Sequence, residues 1–243
     1  MEEGKREKVR KLQQEILAWE GFRPHTLKTR EVTGLQQLEA AFPNGVFPLG
    51  AIHEFLSFEP EQAAASEGFI ACLTGALMQR GGVCLWIAAG RQVFPAELKV
   101  FGVPPEKIIF IDLSREKDVL WVLEEALKTT GLAAVVGEVR ALDFMQARRL
   151  QLAVETSKVT GFILRTDARR QQMNSCMARW QISPIPSQLE AGMPGVGFPR
   201  WQIDLLKVRN GKPGSWQVEW SAGRLNLITE NPGIIKIPAQ RAG

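Results

Sequence analysis

Apolar positions along the chain follow two periods, and the change from one to the other divides it. Residues 3–20 carry Val9, Leu12, Ile16 and Trp19 at spacings of three, four and three, the stripe of a basic amphipathic helix. Pro24 lies beyond its end. Thr33 with Gln36 forms a capping-box pattern ahead of Leu35, Leu38 and Phe42, and Pro43-Asn44-Gly45 stops that helix. From residue 51 short apolar runs alternate with helical patterns. Strands are predicted at 51–56, 83–88, 108–111, 133–136 and 161–164, with helices at 63–80, 95–101, 115–128 and 143–158. Val83-Cys84-Leu85-Trp86-Ile87-Ala88 is apolar at every position, as in a strand covered on both faces.

Strands that alternate with helices predict parallel βαβ units with right-handed crossovers. After residue 182 the pattern changes. Residues 183–199 are rich in Pro and Gly and read as a loop. Residues 201–208 and 216–220 alternate, Asn210-Gly211 supplies the turn of a hairpin, and 225–228 is one more strand. The expected fold is α/β, with a mainly parallel twisted sheet flanked by helices, a C-terminal antiparallel hairpin and an N-terminal helix. The expected division is a helix and linker at 1–31, one domain at 32–230 and an irregular tail at 231–243.

Composition narrows the chemistry. The chain has 243 residues, 45% of them apolar, enough for a sizeable core. No apolar run approaches the roughly 20 residues that span a bilayer, and Met1–Arg6 has no apolar segment behind it, so a cytoplasmic protein without membrane or secretory signal is expected. Cys72, Cys84 and Cys176 are scattered and read as reduced thiols. Metal-ligand spacing is absent and only His25 and His53 occur, so neither a metal site nor catalysis by a His cluster is expected. His53 reads as a half-buried strand residue.

The formal net charge of +4 conceals a division. Residues 51–139 hold 7 Lys/Arg against 12 Asp/Glu, whereas residues 140–179 hold 8 against 3. A basic segment of this kind faces a polyanion or an acidic partner, or else serves solubility.

Three stretches carry a resemblance. They are Phe47-Pro48-Leu49-Gly50-Ala51-Ile52-His53-Glu54-Phe55, Ala178-Arg179-Trp180-Gln181-Ile182-Ser183-Pro184, and 205–216, Leu-Leu-Lys-Val-Arg-Asn-Gly-Lys-Pro-Gly-Ser-Trp. With the element order from about 30 to 229, they make the chain resemble the ImuA-type accessory proteins of translesion DNA synthesis, a RecA-like family related to SulA. The resemblance implies a RecA-like core and a non-catalytic adaptor in SOS-type DNA damage tolerance. The partners it implies are a translesion polymerase subunit (ImuB-like), RecA and single-stranded DNA. A SulA-like inhibitor of cell division is the alternative.

A working RecA-like core would carry a phosphate loop, G-x-x-x-x-G-K-[ST], after its first strand. Its backbone N–H groups and its Lys would cradle phosphates there. At that position the chain reads Ser57-Phe58-Glu59-Pro60-Glu61-Gln62-Ala63-Ala64-Ala65-Ser66-Glu67-Gly68. Glycine is absent before Gly68, no Lys or Arg occurs, and three carboxylates stand where nucleotide would bring its own negative charge. Two like charges about 4 Å apart repel by about 4 kcal/mol at an effective dielectric near 20. Ser57, Glu59, Glu61, Glu67 and Gly68 are therefore expected to mark a degenerate phosphate-loop position, with no cofactor, no catalytic residue and no enzyme activity. Glu138, just past the 133–136 strand, is the residue nearest to a Mg²⁺-holding carboxylate.

In RecA the loops after the third and fourth core strands contact single-stranded DNA. The matching positions here are 140–149 and 166–174. Arg148, Arg149, Arg165, Arg169 and Arg170 are accordingly the expected contacts with DNA or an acidic partner. Val9, Leu12, Ile16 and Trp19 are expected to face either a partner or their own domain. Trp201, Trp216 and Trp220 read most simply as core.

Overall fold

The computed structural model describes residues 35–90, 93–166, 175–188 and 196–228, together with 7–9, 11, 12, 15 and 16. The expected boundaries at 31 and 230 lie outside these residues.

Among the described residues nine strands form one sheet in the order β3-β2-β4-β5-β1-β6-β7-β8-β9. They are β1 Ile52–Leu56, β2 Cys84–Ala88, β3 Ile108–Asp112, β4 Ala134–Val139, β5 Thr160–Arg165, β6 Ala178–Ile185, β7 Arg200–Val208, β8 Gly214–Ser221 and β9 Arg224–Leu227. Pairing is parallel from β3 across to β6, and antiparallel from β6 to β9. The helices are α1 Pro60–Met78, α2 Pro95–Leu98, α3 Glu116–Lys128 and α4 Phe144–Ser157. This mostly parallel sheet with flanking helices and a C-terminal antiparallel extension is consistent with a RecA-like core, as the sequence predicts.

Apolar patterning explains which helix goes where. In α1 twelve residues are buried, spread round the helix. Its Phe69 packs between Phe55 (ring centroids 6.2 Å apart) and Trp201 (6.4 Å), which ties the helix to the sheet. Gly68 lies inside this contact. A Cβ there would stand 3.0 Å from the Trp201 ring and 3.2 Å from Phe101. Gly68, at the end of the expected degenerate phosphate-loop position, is a close-packing glycine of a buried helix.

Helices α3 and α4 are one-sided. Val119, Leu123, Ala126 and Leu127 of α3, and Ala147, Leu150 and Val154 of α4, point into a second core on the opposite sheet face. Asp143 caps α4 by accepting from the Gln146 N–H at 2.7 Å, and the Gln146 side chain returns the bond to the Asp143 N–H at 2.9 Å. That reciprocal cap stabilises the helix start by about 1 kcal/mol.

The first core holds the aromatic residues. Trp180 is fully buried; its ring lies 6.0 Å from Phe55 and nearly parallel to it, and 5.8 Å from Phe42. Trp201, Trp216 and Trp220 are buried in the same core. Burying side chains of this size contributes roughly 1.5–3 kcal/mol each. Leu35, Leu38 and Phe42 close this core, but the helix they belong to is a 3-10 turn, Gln36–Ala41, without a side-chain cap. Thr33 lies outside the described residues.

Other element assignments also differ from the pattern-based ones. β6 passes through Pro184, because its pairing with the neighbouring β7 runs from Ala178 to Ile185 and the local register shift between Arg179 and Trp180 realigns the strand. β4 continues through Glu138 to Val139, so Glu138 is a strand residue. α1 starts at Pro60, where proline's fixed φ suits the first helical turn.

Val9, Leu12 and Ile16 are helical and about half exposed (47, 57 and 49%), so among the described residues the stripe is open to solvent. Trp19 lies outside the described residues. No described helix is long and apolar enough to cross a membrane. The three cysteines are buried thiols joined by no disulfide.

Candidate functional site

In an open parallel sheet the crevice for ligands lies beyond the carboxyl ends of the strands, where the connections part to opposite faces. Here α1 leaves β1 toward one face, and α4 leaves β4 toward the other. A cleft of about 320 Å³ opens at that place, lined by residues that include Glu59, Glu67, Glu116, Glu138, Arg140 and Thr166.

The β1–α1 connection is three residues long, Ser57, Phe58 and Glu59. Two of its three backbone donors are engaged within the protein. The Ser57 N–H bonds to the Arg165 carbonyl at 3.0 Å, and the Phe58 N–H bonds to Oε1 of Gln62 at 2.9 Å. Pro60 has no N–H. The Gln62 and Ala63 N–H groups both reach the Glu59 carbonyl at 3.1 Å. Inward, Ser57 Oγ lies 3.3 Å from Ser66 Oγ. A phosphate cradle needs several amides converging on one point, and at this turn they are divided among protein acceptors.

The cleft is acidic. Glu138 accepts a 2.5 Å bond from the Trp86 indole N–H. Glu67 is half-buried in α1. Burial, and then the charges of Glu138 and Glu97, raise its pKa from 4.5 to about 7. Among the described lining residues Arg140 is the one cation. Its guanidinium lies 3.8 Å from Glu116, and its backbone N–H also donates to Glu116. Of the residues expected at the degenerate loop, Glu59 and Glu67 line this cleft, Ser57 is buried beneath it, and Glu61 is exposed in the first turn of α1 outside the lining. Among the described residues no group of three or more His, Cys, Asp or Glu is placed to hold a metal ion.

Next to the cleft lies a charge arrangement that sequence reasoning missed. Glu54, in the middle of β1, is fully buried. It accepts from Arg165 Nη1 at 2.9 Å and from Arg179 Nε at 2.6 Å. Since β1 lies between β5 and β6, the three residues tie three neighbouring strands together. Arg165 is only 2% exposed, which corrects its assignment as a contact for DNA or a partner. Its guanidinium has turned inward to a buried carboxylate that it shares with Arg179. The parallel register pairs Leu56 with Arg165 on one side, and Glu54 with Arg179 on the other. That register is the signal, and it is not visible before the strand order is known.

Arg148 and Arg149 lie on the outer surface of α4. Arg148 is 3.7 Å from Glu155, and Arg149 pairs with Glu124 of α3. Arg169 and Arg170 lie outside the described residues. The expected basic site is therefore not brought together: one member is core, two lie on a helix surface, and two are not described.

His53 is fully buried, not half-buried. Its Nε2–H donates to the Pro48 carbonyl at 2.8 Å, Nδ1 accepts from the Trp180 indole N–H at 3.4 Å, and its ring stacks on Phe47 at 4.4 Å. Burial lowers its pKa from 6.5 to about 4, against the pull of the Pro48 carbonyl. It is a neutral core residue of the aromatic cluster.

The fold and the cleft define an α/β protein with a RecA-like arrangement and an acidic crevice at the carboxyl ends of its parallel strands. Two curated relatives, both called Protein ImuA and both from Caulobacter vibrioides (strains NA1000 / CB15N and ATCC 19089 / CIP 103742 / CB 15), are 34% identical over 195 residues. The match covers 75% of this chain and 80% of each relative, so the chain belongs to the ImuA family. No protein-family model matches it.

Proposed function

We propose that this protein is a non-catalytic accessory factor of DNA-damage-induced mutagenesis. It acts by binding partners: a translesion polymerase subunit, and RecA or single-stranded DNA. Membership of the ImuA family supports the pathway. The observation that carries the non-catalytic part is the β1–α1 turn, whose amides are used by Gln62, Glu59 and Arg165 and whose crevice presents Glu59, Glu67 and Glu138. A triphosphate placed there meets like charge and finds no converging donors.

On this reading the parallel sheet is a rigid frame. The buried Arg165–Glu54–Arg179 cluster holds its centre, and the outward faces of the helices and the exposed N-terminal stripe are available to partners. Titration calorimetry with ATP and Mg²⁺ tests the non-catalytic part. No heat of binding is expected at millimolar nucleotide, and a micromolar, Mg²⁺-dependent isotherm would falsify it. Co-purification of a polymerase subunit from damaged cells tests the adaptor part, and its absence ends that part.

A further inference from the structure

Helix α1 has two unlike halves, which meet at Glu67. From Gly68 onward it buries Phe69, Ile70, Leu73, Leu77 and Met78 in the first core. The helix backbone there lies close against its neighbours: a Cβ on Gly75 would stand 2.9 Å from the Phe101 carbonyl oxygen. The first two turns, residues 60–67, have no such anchor. Ala65 and Ser66, both small, are the buried residues among them, and Glu59 at the N-cap makes no side-chain cap. Polar bonds hold this head. The Phe58 N–H donates to Gln62 Oε1, Gln62 Nε2 donates to Ser183 Oγ at 3.2 Å, and Ser57 Oγ lies beside Ser66 Oγ.

The same head forms a wall of the acidic crevice. Pro60, Ala63 and Glu67 fall at spacings of three and four, on one face of the helix, and all three line the cleft. Glu138 on β4 lines it too, and the bond from the buried Trp86 indole holds its carboxylate in place. The other charges around the head give Glu67 no counter-ion. Glu59 and Glu116 line the cleft, and Arg140 is paired with Glu116. Arg165 of β5 and Arg179 of β6 are turned to Glu54. Glu61, Glu97 of α2 and Lys99 of the adjoining 3-10 turn are exposed. Burial first, then the charges of Glu138 and Glu97, favours the neutral form of Glu67.

We propose that the first two turns of α1 are a proton-operated latch on the crevice: they stay seated while Glu67 keeps its proton and unseat as that proton passes to water. Glu138 is fixed by Trp86 and the second half of α1 by its core contacts, so repulsion of an ionised Glu67 is relieved at the weakly held head. Seated, the Glu67 carboxyl titrates at about 7; unseated and in water it returns to its ordinary 4.5. The balance therefore shifts toward the unseated head as pH rises from 4.5 to 7 and levels off above 7. The inference is independent of the adaptor reading, and no outcome of its test bears on that reading.

Hydrogen exchange of the full chain at pH 5 and pH 8, corrected for the intrinsic pH dependence of amide exchange, tests the latch. Amides of residues 63–67 report the head, and those of residues 72–78 in the same helix are the reference. Protection of the head relative to the reference is expected to fall at least about tenfold from pH 5 to pH 8. In Glu67→Gln, which has no proton to lose, the ratio stays the same at both values. In Glu138→Gln, which keeps Glu67 but removes a repelling charge, the fall is smaller than in the parent. An unchanged ratio in the parent overturns the proposal, as does an undiminished fall in either variant. If Glu67→Gln does not fold, the comparison of the parent with Glu138→Gln decides.

Discussion

A carboxylate of the central strand and one of the helix that follows it have opposite surroundings. Glu54 on β1 lies between two guanidinium groups, while Glu67 on α1 faces Glu138 and Glu97 and is raised to about 7. The first arrangement joins three strands. The second leaves like charges facing a cleft of about 320 Å³. A fold optimised only for stability would compensate both. Here Glu54 is compensated at the sheet centre, whereas Glu67 meets like charges at the crevice, the place where related folds receive an anion.

The comparison can be broken by experiment. Replacing Glu54 with Ala strands two cations in the core and is expected to cost about 3–5 kcal/mol, read as a lower urea midpoint. Glu54→Gln loses less, because the amide oxygen still accepts one bond. If either variant is as stable as the parent, the cluster does not hold the sheet.

At the crevice the sign reverses. The folded-state pKa of Glu67 lies above its ordinary 4.5, so its contribution to stability is greatest below that value and is lost as pH rises toward 7. Glu67→Gln is therefore expected to stabilise by about 2 kcal/mol at pH 8 and by almost nothing at pH 4.5, in paired melts at the two values. Glu138→Gln removes one of the repelling charges but also weakens the bond from Trp86. A smaller gain is expected, with the Glu67 carboxyl titrating at lower pH by NMR.

His53 works in the opposite pH direction. Its folded-state pKa, about 4, lies below the ordinary 6.5, so its contribution is complete above 6.5 and fades as pH falls through 4. Unfolding should take up one proton there, and calorimetry in buffers of different ionisation enthalpy counts it. At the small end, Arg148→Ala removes only an exposed pair with Glu155. It should change stability by less than about 0.5 kcal/mol, and a larger loss would make Arg148 structural.

The α/β alternation, the C-terminal hairpin turn at Asn210-Gly211 and the burial of the Trp-rich strands were legible because period and turn chemistry are local properties. The crevice was legible in composition, since Glu59, Glu61 and Glu67 stand together near the first strand. Its membership was not. Glu61 turns out of it, and Glu116 and Glu138 enter from elements 49 or more residues further along the chain. Arg165 misled for a related reason: in sequence it opens a basic loop, whereas in space its partner lies 111 residues away.

By itself the chain determined the alternation of strands and helices, the acidic and basic division, and the absence of phosphate-binding residue types after the first strand. All of these follow from side-chain chemistry read over a few neighbouring residues. Only the tertiary structure decided which charges are paired. Strand order and register bring Glu54 between Arg165 and Arg179 and leave Glu67 beside Glu138, and ion pairing depends on distances of a few ångströms that no local pattern encodes.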